Sequence, residues 1–593
     1  MELQKEATSV ASFFVNFQMK QGRRPLRLHP ATLSLLLDKN AKICYTMISY
    51  ADIIRKIQQK ERPMKKFLAL TLAFVMVLSV CLFAGCDEKP ADTTTKKPAD
   101  SVETTTGDKN TTENPTTPVD TTTEPDAPID TTTEEPDAPI EPEVFDGTGR
   151  LPGYEDVDFR GKTFVIAGYT GCADGFDNVR EIYSEDTDAI AVAVRERNQY
   201  VEHLYNCTIE VNGSDNPAGL VSAEVTSGKH SIDIFSQKYA VGTAATSGAN
   251  YNLYSLGIDF TQNWWDQNYV KTNTVKNSAG VDTLYSIVGD FSFSASSLAH
   301  AIMFNKNVYE TTIAQDLGYD IYQLVRDGEW TMDIFIEMVK KGATDVSGNQ
   351  AFAYSEGDII GWATTTHATH GLHAASGLPM ITTTNGTMSF AMSNAKSEWT
   401  NVIEKAIEVW ALPQHDNCGY SNGTAAIISG NTLFYSNLVA TLEEASVRDS
   451  DTPIGLVPYP KYSTAQENYA HYVDNHLMTY SVPTSVVEIE ELGDFFTVYA
   501  AHTTAIVRPA WIDAYAYEYC GDADSGEMLD IILNTRTYDP GYLIFSSFEG
   551  EISQQIDAGK NNITKLIDKR YDSIAGPGGS IENHIKAISD NKA

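Results

Sequence analysis

Three histidines, His367, His370 and His373, are spaced so that a helix would spread them over one broad face, where two could touch a metal ion. Zinc sites more often pair histidines at i,i+4 or bring in distant ligands. No carboxylate or cysteine lies within a helical turn or two, and Asp358 is the nearest upstream. The spacing therefore predicts a helix that lines a lobe or faces solvent, and no metal or cofactor is expected. Gly419-Tyr420-Ser421-Asn422-Gly423 has the form of a nucleophile elbow, a motif that needs a buried strand immediately before it. The preceding stretch 413–418 is polar and does not read as a strand, so the motif reads as a Gly/Asn turn. Carboxylates are plentiful, but none forms a pair in a setting that would raise one pKa. No phosphate-cradling GxxxxGK[ST] loop is present. With no nucleophile, acid–base pair or metal site assigned, the chain is not expected to be an enzyme.

The remaining chemical resource is aromatic: 30 Tyr, 23 Phe and 7 Trp. Sugar rings stack their C–H faces on aromatic planes, and their hydroxyls take short polar partners, so a cleft lined by aromatics with Asn, Asp and Thr suits a carbohydrate. In α/β sheets ligands sit outside the strand ends. The candidate ligand contacts are Tyr169, Trp264, Trp265, Asp290, Phe291, Trp362, Phe434, Tyr435 and Trp511, with Trp362 and Tyr435 favoured.

The elements that would position them begin at Gly161. Residues 163–167 read as a buried strand, Asp186–Tyr205 as a helix, Cys207–Val211 as a strand, 223–228 as a helix stopped at glycine, and 232–235 as a third strand. That alternation predicts βαβ units on a parallel sheet. A strand is expected at 283–288. Thr331 suits a helix N-cap, with Asp333 in the first turn and Phe335, Met338 and Val339 on an apolar face above Trp330. Residues 477–482 read as a strand, Glu488–His502 as a helix, and 541–593 as mostly helical.

The formal net charge of −36 argues against a nucleic-acid partner and against docking on anionic lipid. The folded remainder exceeds the ~250–300 residues at which one core splits, so two lobes are expected. Cys172, Cys207, Cys418 and Cys520 form no CxxC, and their pairing stays open. Residues 64–86, MKKFLALTLAFVMVLSVCLFAGC, have the basic n-region, apolar h-region and small-residue close of a secretory signal. Residues 1–63 keep no long apolar period and are read as a misassigned upstream extension, with Met64 as the expected start. Residues 87–148 are rich in Thr, Pro, Asp and Glu, repeat DTTTEPDAPI as DTTTEEPDAPI, and read as a disordered tether. Such a tether reaches between roughly 45 Å as a coil and ~190 Å if extended.

Two resemblances sharpen these expectations. The ending 82–86, LFAGC, resembles a bacterial lipobox, with Phe83 in place of the usual Leu. It implies cleavage before Cys86 and lipid attachment there, hence a protein anchored on the extracellular face of the cell membrane. From Gly161 to Ala593 the chain resembles the family 1 extracellular solute-binding proteins, the maltose-binding-like receptors of ABC importers. The motifs stand in family order: 264–266 WWD, 284–290 LYSIVGD, 303–309 MFNKNVY, 327–335 DGEWTMDIF, 423–427 GTAAI (Ile427 replacing Met) and 454–460 IGLVPYP. This resemblance implies an α/β, two-lobe periplasmic-binding-protein-like (type II) fold with a hinge. The first lobe would comprise about 151–300 and 470–535, and the second about 301–460 and 536–593, in a solute-binding domain at 149–593. It also implies a monomer that captures a small solute, a carbohydrate by the same resemblance, and hands it to a permease. A surface hydrolase acting on glycans, or a ligand-sensing or adhesion ectodomain, are the other readings.

Overall fold

The computed structural model describes residues 145–170, 178–239, 248–544 and 546–591. The expectations for 1–63, the signal, Cys86, Cys172 and nearly all of the tether fall outside the described residues.

Eleven strands position the site: β1 (Lys162–Tyr169), β2 (Cys207–Ser214), β3 (Ile234–Lys238), β4 (His300–Asn305), β5 (Ile360–Thr364), β6 (His415–Asp416), β7 (Thr432–Leu438), β8 (Ile454–Val457), β9 (His471–Tyr472), β10 (Met478–Ser481) and β11 (Arg536–Thr537). The first sheet has the order β10-β3-β1-β2, with β10 antiparallel to β3 and the rest parallel. The second has the order β6-β5-β7-β4-β8, parallel from β6 to β7, with β4 antiparallel to both of its neighbours. The molecule is thus a two-lobe α/β structure. β10 lies more than 200 residues after β3 in the sequence yet completes the first sheet, so the chain must leave that sheet and return.

The βαβ expectation holds. Helix α1 (Ala189–Tyr205) begins where the Asp188 carboxylate accepts the Ala191 N–H at 2.9 Å and stops at Asn206 in the left-handed region. It buries Val194, Val201 and Tyr205. Alternation along β1 divides its residues between two faces. Phe164 and Ile166 join the main core, where Phe164 stacks on Phe495 at 4.0 Å, and Ala167 meets Val221 of α2 (Pro217–Ser227) on the other face.

In the second sheet Ile302 and Phe304 of β4 face a core containing Trp330, Phe335 and Trp362. Trp330 lies beneath α4 (Met332–Lys341) and donates its Nε1–H to the Pro458 carbonyl at 2.8 Å. Thr331 stands at the N-cap, but its side chain makes no cap bond. The helix start is tied down instead by the Met332 N–H donating to the Lys461 carbonyl at 2.8 Å.

Two motif glycines have steric reasons. A Cβ at Gly289 would stand 2.3 Å from the Trp264 carbonyl, and one at Gly423 would stand 2.3 Å from the Tyr435 ring. The strand expected at 283–288 is reduced to Asp282–Thr283 and an isolated bridge from Ile287 to Tyr480. Chain 413–418, read as polar and not a strand, contributes the edge strand β6, and the 419–423 motif, read as a turn, opens helix α6 (Tyr420–Ser429).

Three segments lie side by side between the sheets. Ala299 bridges Val473 and accepts the Val439 N–H, and the Asp474 N–H donates to the Leu298 carbonyl at 3.0 Å. β9 in turn pairs with β11 in parallel. The helix expected to end at His502 does not stop there. From α7 (Ile489–His502) it continues to Cys520 through widened turns at Thr503–Val507 and Ala514–Cys520. The first of these widened turns precedes Pro509, whose missing N–H cannot join a regular ladder. This long helix starts on β1 and ends against β8, with α8 (Ala523–Asn534) beside it. It makes the apolar core continuous from the first sheet to the Ala301–Met303 face of the second.

Candidate functional site

The crossing segments bring unusual polar chemistry together. His300 opens β4 and is 1% exposed, and neither ring nitrogen has a hydrogen-bond partner. Its ring lies 5.1 Å from that of Tyr472. His370, on α5 (Ala368–Ala374), adds an unpartnered Nδ1. His370 Nε2 meets the Glu549 carboxylate of α9 (Ser546–Asp557), and its ring lies 5.3 Å from Tyr472. Buried polar groups are normally satisfied, so a group of orphans at one place points to missing partners.

The electrostatics follow from burial. Burial pushes the His300 imidazole down to about 3, with His370 and His367 adding to the effect and Asp474 opposing it. Burial also takes His373 down to about 3 and His471 down to about 3. His471 is further defined by its bonds: Nδ1 faces the Thr535 hydroxyl at 2.8 Å, while Nε2 accepts the Tyr459 N–H at 3.2 Å. For Asp474, burial acts upward but is outweighed by hydrogen bonds from His476 and by the nearby histidines, and its carboxyl is held below the usual range.

A second polar group flanks the crossing. The Glu181 carboxylate accepts the Ser292 hydroxyl, and Arg180 reaches Glu443, beyond the end of β7, at 3.9 Å. The Tyr515 hydroxyl donates to Glu443. Burial pushes Glu181 up to about 7; the Ser292 bond opposes this and Glu443 adds to it. A carboxyl with a raised pKa stabilises the fold fully at low pH, and that stabilisation is lost as pH rises from about 4.5 through 7. Glu181→Gln is therefore expected to raise the melting temperature of the full chain at pH 8 by about 1–2 °C, with little change at pH 5. Calorimetry at the two pH values measures the difference.

The sequence candidates are distributed unevenly about this seam. Tyr169 ends β1, half-buried, with the Lys238 ammonium 5.1 Å over its ring. Asp290 pairs with Arg508 at 3.2 Å and accepts the Thr504 hydroxyl at 2.8 Å. Trp264 is half-buried and Trp265 packs on Phe260. Phe291 packs among Tyr480, Phe496 and Tyr499. Trp362, Phe434 and Tyr435 lie in the second lobe at 0% exposure, and Trp511 stacks between Phe293 and Tyr515. Sequence reasoning missed His300, Asp474, Glu181 and Glu549, each of which acquires its role from a partner distant in the chain. Ser421 lies exposed in the first turn of a surface helix whose N-cap is Gly419. Among the described residues no cluster of three or more His, Cys, Asp and Glu suits a metal ion, and no helix is long and apolar enough to cross a membrane. Cys207, Cys418 and Cys520 are free thiols. A groove of about 590 Å3 lies in the second lobe, lined by Met388, Phe390, Tyr571, Pro577 and Ile581 among others, and includes none of these candidates.

The chain matches no protein-family model and no curated protein. Among solved structures it is similar to a cyclo/maltodextrin-binding protein complexed with maltotetraose, at 12% identity and TM-score 0.44, covering 72% of this chain and 96% of that one. It is similar to a family 1 extracellular solute-binding protein from Bifidobacterium longum subsp. infantis, at 15% identity and TM-score 0.40, covering 73% and 99%. It is also similar to an ABC substrate-binding protein from Listeria monocytogenes in complex with cycloalternan, at 11% identity and TM-score 0.40, covering 72% and 99%. At these values the two-lobe architecture rests on the strand orders and the three crossings.

Proposed function

We propose that the chain is an extracellular solute-binding protein of an ABC importer. On this reading it captures a small carbohydrate between its lobes and delivers it to a membrane permease without chemical change. It acts as a monomer, held at the outer face of the cell membrane by lipid on Cys86. The observation that carries the reading is the seam. Two open sheets are joined by three adjacent crossings, and at those crossings lie a buried imidazole with two unpartnered nitrogens and, beside the same Tyr472 ring, an unpartnered Nδ1. A polyhydroxylated solute supplies both donors and acceptors and would satisfy them once the lobes part, with the buried Tyr472 ring beside both imidazoles. The motif order resembling the receptor family supports the same reading. Tyr169, at the end of β1, is the sequence candidate best placed to join the ligand. Trp264 and Asp290 fit a supporting role, and the buried candidates would act through packing.

Capture would require the lobes to part and close again, because ligand contacts to both sides exist only when they are shut. The test is a thermal-shift panel on the full chain with maltodextrins, raffinose-type oligosaccharides, sugar alcohols and amino acids. One sugar is expected to raise the melting temperature in a concentration-dependent way, equivalent to about 2.7 kcal/mol at a hundred times its Kd, with no product formed. Product release, or no response to any solute, would reject the reading.

A further inference from the structure

We infer that the seam is an acid-sensitive clasp: protonation of His300 and His471, carried by two of the three crossing segments, parts the lobes and discharges the solute between them. The use of such a clasp rests on the solute-receptor reading; its mechanism rests on the seam alone.

The geometry fixes both histidines as neutral. His300 is sealed at 1% exposure with no acceptor bonded to either nitrogen, so a second ring proton would have no place to go except toward water. His367 just before α5, His370 on it and His471 of β9 face it as further bases, and Asp474 is the facing carboxylate. That carboxylate is already engaged by the His476 ring at 2.6 Å, and Glu549 is engaged by His370. The strands flanking β4, β7 and β8, carry no histidine and no carboxylate, while β11 sets Arg536 opposite His471 in register, with Asp266 as its counter-ion at 2.7 Å. In β9, the Nε2 lone pair of His471 holds the Tyr459 N–H, which sits just beyond the end of β8. Protonation removes that lone pair and leaves two N–H groups facing each other.

The sign is defined. An imidazole held below its ordinary value contributes stability that is complete above about pH 6.5 and is lost as pH falls. Burial holds both histidines down to about 3, so acid favours whichever form hydrates them.

Amide hydrogen exchange on the full chain, without solute and corrected for intrinsic rates, tests this at pH 7.5 and 5.0. Amides at 298–300, 471–474 and 535–538 report the clasp, and those of β1 and β2 report the fold. Protection of the first set is expected to fall about tenfold at pH 5.0 while that of β1 and β2 holds. The fall is expected to shrink to about threefold or less in both His300→Gln and His300→Asn, and to persist in a control, His203→Gln, on the exposed face of α1. Unchanged protection in the wild type, an undiminished fall in both His300 variants, or loss of β1 and β2 protection along with the clasp would each overturn the inference. No solute enters the measurement, so its failure leaves the receptor reading standing, and a failed solute panel leaves this result intact.

Discussion

Trp362→Ala is expected to cost about 3–5 kcal/mol of stability, read as a lower urea midpoint of the full chain. The indole is fully buried in β5 and donates its Nε1–H to the Ser436 hydroxyl at 2.7 Å across the sheet. Phe335 at 5.4 Å and Trp410 at 5.9 Å meet it edge-on, and His415 lies over it at 4.6 Å. Truncation leaves a cavity that rigid strands on both sides cannot collapse into. Trp362→Phe keeps most of the packing but strands the buried Ser436 hydroxyl, for a smaller loss of about 1–2 kcal/mol. The sequence favours this residue as a sugar platform, and the pair of variants distinguishes the roles. A core tryptophan lowers stability in both variants while the folded fraction still responds to solute. A stable Trp362→Ala protein that has lost its solute response would make it a ligand contact.

Arg536→Ala is expected to destabilise by a similar amount, about 3–5 kcal/mol, because it leaves a buried carboxylate without its counter-charge. Arg536 stands in the third crossing, and Asp266 faces it at 2.7 Å. Asp266 also caps α3 (Gln267–Asn273) and accepts the Tyr538 hydroxyl at 2.7 Å, while Arg536 Nη1 donates to the Ser296 hydroxyl at 2.7 Å. The pair therefore joins a first-lobe helix start to two crossing segments. In the double variant Asp266→Asn/Arg536→Met the buried charges vanish together, and most of the loss is expected to return. A double-mutant cycle in urea measures the coupling. Equal losses in the single and double variants, although Met keeps the aliphatic packing, would show that the unpaired carboxylate is not the source of the loss and would rule out the ion pair as the stabilising contact.

What the sequence disclosed is local, and what it concealed is distant. The alternation of Phe164 and Ile166, the apolar stripe of α1 and the place of Trp330 under α4 follow from periods of two and 3.6. The FNKNVYE motif is legible as a strand end, and the structure adds the reason for its asparagine. Asn305 accepts the Val308 N–H at 3.0 Å, capping the next turn, and donates to the Ile427 carbonyl at 2.8 Å. Its lysine meets Asp522, more than 200 residues on, which no local pattern announces. The histidine triplet shows the same limit. Its spacing predicts a lobe-lining helix, but Glu549 and Tyr472, the groups that give His370 its surroundings, come from segments that fold back after the crossings. Most aromatic candidates were chosen for residue type near strand ends. A strand end does not say which way a side chain points, and Phe434 and Tyr435 turn into the two opposite faces of β7. The helix expected over Glu488–His502 runs on to Cys520 because a widened turn carries the chain past Pro509, a feature no apolar period encodes.

On the receptor reading, one solute is held by both lobes at the crossings. Hydrogen exchange of the full chain with and without the sugar that stabilises it in the panel tests this directly. Slowed exchange is expected on both sides of the seam together, at Lys238, Tyr239 and 474–477 from the first lobe and at 364–370 from the second. Slowing confined to one lobe, or centred on the groove beside Phe390 and Tyr571, would contradict it.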